Sequence, residues 1–288
     1  MQIAIDSYCY HRYFGEHYAG LEQDPGSRIS VWDFLDKAQS MGVAGVSLES
    51  CFIAFDEPGL IERLRIELDA RKLERVWAWG HPNGLCSGTN AEAALDLKRH
   101  LAVAEKLGSS VMRICAGGRR TRPASWAEHK RGLVHLLTPL LASAEQHGVV
   151  MAIENHIDLL ADEMLDLMTT LDSPWLGVCF DTANNLRMFE HPVSVARKLA
   201  PYIKATHIKD VLPQRGDPAL FKTWPSVPLG QGLVELPEIL DVLRDAHYTG
   251  LLAVEIDYLH PSYRDGQQDE ELALIRSLAY LKRAVEAT

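Results

Sequence analysis

Eight short apolar runs recur along the 288 residues, separated by longer stretches with helical spacing, and this alternation most constrains the fold. The runs cover 3–5, 43–48, 76–79, 111–115, 149–153, 176–180, 203–206 and 251–254. Several are continuous rather than alternating, as expected for strands buried on both faces of a parallel sheet. Between them the chain carries helix start and stop signals. Ser30 with Asp33 predicts a capping box for a helix that Gly42 stops, and Ser125 with Glu128 predicts another for a helix reaching Gly148. Asn90 opens a helix that Gly108 ends, and 164–171, 193–199, 236–246 and 270–285 have helical periodicity. Eight strands and about eight helices in this length predict a closed (β/α)8 TIM barrel, read as one domain over 1–288. No GxGxxG follows a strand, which argues against an open dinucleotide-binding sheet.

Composition narrows the function classes. A chain with 47% hydrophobic and 24% charged residues can build a sizeable core, which excludes disorder. Its net charge of −10 disfavours nucleic acid and anionic membrane as partners, so an anionic substrate would need a local basic pocket. The five cysteines lie far apart with no CxxC pair, as in a reducing compartment. The start MQIAIDSYCYHRYF lacks the basic and apolar blocks of a signal peptide, and no apolar stretch approaches membrane-spanning length. A soluble cytoplasmic protein is the expectation.

The informative residues sit where strands end. Strand five, VVMAIENH, ends at Glu154, and strand six, LGVCFDTAN, ends at Asp181. Strand seven, IKATHIKD, presents His207, and strand eight, LLAVEID, presents Glu255. In a closed barrel these positions converge over the mouth. Acids that close raise one another's pKa, and a divalent cation resolves the conflict. Three oxygens and a nitrogen suit Mn²⁺, with Mg²⁺ or Co²⁺ as alternatives; Zn²⁺ is less suited without a thiolate. A single acid ending a strand ordinarily caps a helix or pairs with a cation, but four on adjacent strands favour a metal.

Other residues surround this set. His156 and Lys209 are candidates for catalysis, Lys209 because it shares the strand parity of His207. Arg113, within an apolar strand, needs an anion such as Glu154 or the substrate. Glu49, Trp79 and His81 end strands two and three and could line the pocket, although Trp77 and Trp79 serve equally as core. Arg119, Arg120 and Arg122 could hold a phosphate, against the plainer reading of a solvated loop. The long connections 7–29, rich in aromatics, and 211–234, rich in proline, follow strands and are expected to cover the site.

At these strands the sequence resembles the xylose-isomerase-like barrels of the sugar phosphate isomerase/epimerase superfamily. That superfamily includes D-tagatose 3-epimerase, hydroxypyruvate isomerase, inosose dehydratase and endonuclease-IV-type enzymes. The resemblance runs through AIDSY, GVSLES, IENH, CFDTAN, HIKD, LGQGLVEL and LLAVEID. It implies Glu154, Asp181, His207 and Glu255 as metal ligands, with Glu154 and Glu255 also moving protons on opposite faces of a sugar. It places Gly230 and Gly232 in a turn before the eighth unit. Asn184 stands where the epimerases often carry histidine, and Pro213, with Arg215 nearby, where they often carry arginine; Asn184 and Arg215 are therefore expected to touch substrate. HIKD is more like the dehydratase branch. The implied activity is isomerisation or epimerisation of a keto-sugar or polyol through an enediolate. The alternative is a lyase that expels water or an aglycone from a 3-keto sugar. An endonuclease is disfavoured, since 211–235 contains no histidine and the charge is acidic. A non-catalytic sugar binder is disfavoured because all four ligands are present. The expected partner is a small sugar, with homo-oligomerisation left open.

Overall fold

The structure is a computed structural model that describes residues 1–264 and 269–286. Eight parallel strands close into a barrel in sequence order, with the last pairing to the first. They are β1 (Gln2–Asp6), β2 (Gly45–Glu49), β3 (Glu74–Ala78), β4 (Val111–Ile114), β5 (Val150–Glu154), β6 (Leu176–Asp181), β7 (Ile203–Ile208) and β8 (Leu251–Val254). The outer ring comprises α1 (Val31–Ser40), α2 (Leu60–Ala70), α3 (Ala91–Leu107), α4 (Trp126–His147), α5 (Ala161–Leu171), α6 (Pro192–Leu199), α7 (Leu236–Asp245) and α8 (Asp269–Glu286). Among the described residues, no helix is long and apolar enough to cross a membrane.

Local chemistry accounts for most boundaries. Ser30 and Asp33 form the expected reciprocal box, with Ser30 N donating to Asp33 Oδ2 at 2.8 Å. Asn90 accepts from Ala93 N at 3.0 Å, and Gly108 ends α3 at φ +78°, a conformation that favours glycine. Ser125 departs from expectation: it occupies the N-cap position of α4 but makes no side-chain cap bond. Trp126 instead ties that end to α5 through Nε1 and Asp166 at 2.8 Å. α2 lacked a readable start because it follows Gly59, a left-handed residue at φ +76° with no capping side chain.

Two apolar layers hold the barrel. The large layer lies between strands and helices and includes Phe34, Leu48, Leu64, Trp77, Leu97 and Phe180. A small one fills the barrel's interior with Ala4, Val76, Ala152, Cys179, Ala205 and Ala253. Side chains alternate along a strand, so the residue two positions on faces the same interior. That parity delivers Asp6, Glu154, Asp181, His207 and Glu255 directly above the small residues.

Candidate metal and substrate site

Small side chains below leave room for charged ones above, at the carboxyl ends of the strands. Asp181 is paired in register with His207 on the neighbouring strand, and Glu154 with Cys179. Glu154, Asp181 and His207 are all buried, and each offers a ligand atom within 4.8 Å of the other two. Glu255 stands at the edge of this trio, with Oε2 3.7 Å from His207 Nδ1 and 2.7 Å from Lys209 Nζ.

Each ligand is held by a separate set of bonds. Asp181 Oδ1 accepts from the amides of Ala183 and Asn184 at 2.7 and 2.8 Å, which leaves Oδ2 for the cluster. Asn155 bonds the Asp181 backbone in both directions, at 2.7 and 2.8 Å. Glu154 Oε1 accepts from Asn184 Nδ2 at 2.9 Å, while its Oε2 faces Arg113 Nε at 2.8 Å. Arg113 also reaches Glu49 at 3.5 Å. His207 Nε2 lies 3.4 Å from Asp6 Oδ2. Through Nδ1 the same ring faces Glu154 and Glu255 at 3.8 and 3.7 Å.

Electrostatics separates the acids. Burial opposes ionisation of Glu154, but Arg113, His207 and His156 together outweigh it and hold this carboxyl well below the usual carboxylate range. Burial raises Asp181 to about 6, with Lys209 pulling the other way. Burial likewise raises Glu49 to about 7 against the pull of Arg113. Burial disfavours the Lys209 ammonium, yet Asp181, Asp257 and Glu255 together hold it charged. Asp181 Oδ2 and Glu255 Oε2 converge with His207 Nδ1, which makes no hydrogen bond, and one ammonium, Lys209 Nζ at 3.1 and 2.7 Å, is shared between the two carboxylates. Several buried acids sharing one cation leave negative charge that a second cation would balance. The residues present therefore fit a divalent cation on Glu154, Asp181 and His207, with Glu255 adjoining.

The remaining expectations divide. His156 is half-buried on a cavity of about 420 Å³ and faces the Gly117 carbonyl through Nδ1 at 3.0 Å. Burial lowers its pKa, so Nδ1 carries the hydrogen and Nε2 accepts. Asn184 joins the cluster through Glu154, as Arg113 does. Of the two readings open for Trp79, pocket wall or core, the structure has the core: it is 1% exposed and donates through Nε1 to Asp96 on α3 at 2.8 Å. His81 is half-buried and stacks on it at 5.1 Å. Arg215 lies exposed on the connection after β7, apart from the cluster. Arg122 is taken by Glu163, bidentate at 2.7 Å, and so does not offer its charge to a ligand.

Sequence reading gave no role to Asp6, Asp257 and Arg187. Asp6 and Asp257 were reachable by the parity argument, because they follow Ala4 and Glu255 by two residues. The long connections meet over the mouth, where Tyr18 packs on Phe221 at 4.5 Å. Asp210 pins the second connection by accepting from the amides of Gly230, Gly232 and Val234 at 2.8–3.0 Å. A Cβ at Gly232 would meet Asp210 Oδ1 at 2.1 Å, which explains glycine there.

Comparison with known proteins agrees with this architecture. The chain is similar to 3-oxo-isoapionate decarboxylase of Pectobacterium atrosepticum, at 26% identity over 54% of the chain and 55% of that protein. It thus spans about half the length of that relative. Inosose dehydratase of Bacillus thuringiensis is 23% identical over 67% of the chain and 72% of that protein. Among solved structures, L-ribulose 3-epimerase superposes with a TM-score of 0.75 at 16% identity, covering 99% of this chain and 95% of that one. The IOLI protein, crystallised with a binding zinc atom, superposes with a TM-score of 0.77 at 14% identity, covering 100% and 99%. At such identities the likeness is one of fold. The family profile matches residues 35–284, and the chain belongs to the xylose isomerase-like TIM barrel family.

Proposed function

We propose that the protein is a divalent-metal-dependent isomerase or epimerase of a keto-sugar or related polyol, acting by α-proton abstraction through an enediolate. The observation that carries this reading is the convergence of Glu154, Asp181 and His207, with Glu255 held beside them by Lys209. A bound Mn²⁺, with Mg²⁺ or Co²⁺ as alternatives, would supply a Lewis acid that acidifies the C–H next to a carbonyl. The zinc of one structural neighbour makes Zn²⁺ a further ion to test.

The chain's own groups do the rest. Glu154, kept ionised by Arg113, and Glu255, steadied by Lys209, exchange protons with the substrate from two sides. His207 and Asp181 hold the cation. His156, neutral with Nε2 as acceptor, takes a substrate hydroxyl. Lys209 serves as a fixed charge that positions Asp181, Glu255 and Asp257.

A second reading is elimination, and the similarity to a dehydratase and a decarboxylase supports it. Both reactions start with a carbanion next to a carbonyl. Neither Lys209, held protonated by three carboxylates, nor neutral His156 gives up a proton readily to a departing oxygen, so isomerisation comes first. The test incubates Mn²⁺-, Co²⁺- and Zn²⁺-loaded protein with ketopentoses, ketohexoses and inososes in D₂O, followed by NMR. Deuterated isomers support the first reading, and loss of water supports the second. Absence of α-exchange with every metal and substrate would overturn both.

A further inference from the structure

Arg187 is a buried cation without an anion. It lies on the 3-10 turn Asn184–Met188 after β6 and is 9% exposed. Its Nε makes no hydrogen bond, and among the described residues its guanidinium has no carboxylate within ion-pair distance. The acid that shares its cleft, Asp257, is already taken by Lys209 at 3.0 Å and Ser226 at 2.5 Å. What Arg187 does touch is apolar or itself cationic. The guanidinium lies 5.3 Å from the Phe221 ring centroid, and the Arg187 carbonyl accepts from Arg119 Nη2 at 2.6 Å. Burial and the neighbouring Arg119 both press the Arg187 guanidinium toward losing its proton. A buried arginine without a partner is a liability to the fold, and a ligand anion is the partner that removes it.

Its place in the mouth says which ligand. Arg187 lines the narrow cleft that also holds Asn184, Lys209 and Asp257, beside the metal cluster. It also lines the cavity of about 420 Å³ where Arg119, Arg120 and His156 stand. No Asp or Glu is among the described residues lining that cavity, in a protein of net charge −10. A substrate bridging the two spaces has its reacting end at Glu154 and its other end on Arg187.

We propose that Arg187, assisted by Arg119, is an anion-recognition residue, and that the substrate is an acidic sugar derivative whose carboxylate or phosphate it receives. The substrate class rests on the proposed function, whereas the anion site stands without it. Bidentate pairing in a dry cleft gives both affinity and register, fixing which carbon lies at the base.

The test compares three open-chain probes of one length: D-glucitol, D-gluconate and D-glucitol 6-phosphate. Titration calorimetry is run with and without Mn²⁺ on wild type, Arg187→Met and Arg187→Lys. At least one anion should bind wild type tenfold or more tighter than glucitol, and the tighter of the two identifies carboxylate or phosphate. Arg187→Met should abolish that preference while changing glucitol affinity less than twofold, and Arg187→Lys should keep part of it. Removing an unpaired buried charge should also raise the melting temperature of Arg187→Met, by about 2 °C or more. Equal binding of all three probes, a preference surviving in Arg187→Met, or a lower melting temperature there would overturn the proposal. A preference that persists without Mn²⁺ in a protein showing no α-exchange would remove the metal chemistry and leave the anion site.

Discussion

Lys209 Nζ lies 2.7 Å from Glu255 Oε2, so the cation that follows β7 is locked to the acid that follows β8. The same nitrogen reaches Asp181 at 3.1 Å and Asp257 at 3.0 Å. Removing one partner of a buried ion pair leaves charge without compensation, at about 3–5 kcal/mol. Lys209→Met should therefore melt well below wild type when metal-free. The same loss of positive charge favours a divalent ion, so Mn²⁺ should raise the melting temperature more in the variant than in wild type. Thermal melts with EDTA and with Mn²⁺ check both, and equal shifts in the two proteins would refute the electrostatic account.

A second acid gives the fold a pH dependence of its own. Asp158 is buried 3.7 Å from His129, and neither makes a side-chain hydrogen bond. Burial raises Asp158 to about 7 and lowers His129 to about 4. Between pH 4 and 7 the folded chain keeps a proton on Asp158 that the unfolded chain has lost. Its contribution to stability thus falls as pH rises through this window, by at most on the order of 4 kcal/mol. His129 acts with the opposite sign below about pH 6.5, because its folded form lacks a proton that the unfolded chain binds. Asp158→Asn should therefore turn the slope of melting temperature against pH more positive between pH 5 and 7. An unchanged slope would show that Asp158 titrates as it does in the unfolded chain.

The contact of Tyr18 with Phe221 joins the two long connections at 4.5 Å. An aromatic pair contributes about 0.5–1.5 kcal/mol beyond burial. If closure of these connections shields the reaction from water, Phe221→Ala should lower kcat/KM by about 2- to 10-fold. The melting temperature should stay near that of wild type, because Phe221 is only half-buried on a loop. A large fall in melting temperature with unchanged kcat/KM would assign the pair to the scaffold instead.

The barrel was legible because its strands are buried on both faces and read as unbroken apolar runs. The ligand set was legible because Glu154, Asp181, His207 and Glu255 each follow a small interior residue by two positions. α2 was not, since Gly59 starts it by backbone conformation alone. Parity also resolves Trp79: it is out of phase with the interior residue Val76, so it faces the helices and its indole reaches Asp96 on α3. Arg187 was invisible for a different reason. In the segment NNLRM nothing marks the arginine as buried, and the absence of a partner is a fact of three dimensions.

Arg113 and Glu154, 2.8 Å apart, set how the proton transfer should respond to mutation and pH. The guanidinium, with His207 and His156, keeps Glu154 ionised far into acid, which suits a ligand but weakens a base. Glu154 can abstract a proton only from a C–H made acidic by the neighbouring carbonyl. Glu154→Gln and Glu255→Gln preserve shape and an oxygen but remove the basic site. Each should lower kcat by about 10²–10⁴, with substrate binding affected much less. Arg113→Met tests the coupling more sharply. Without its cation the Glu154 carboxyl rises, so the acidic limb of kcat/KM should move to higher pH, while the same limb in wild type stays low. Following α-hydrogen exchange in D₂O against pH for the four proteins reads both effects at once. Full activity in both glutamine variants, or an acidic limb that Arg113→Met leaves in place, would mean that these carboxylates do not carry the proton.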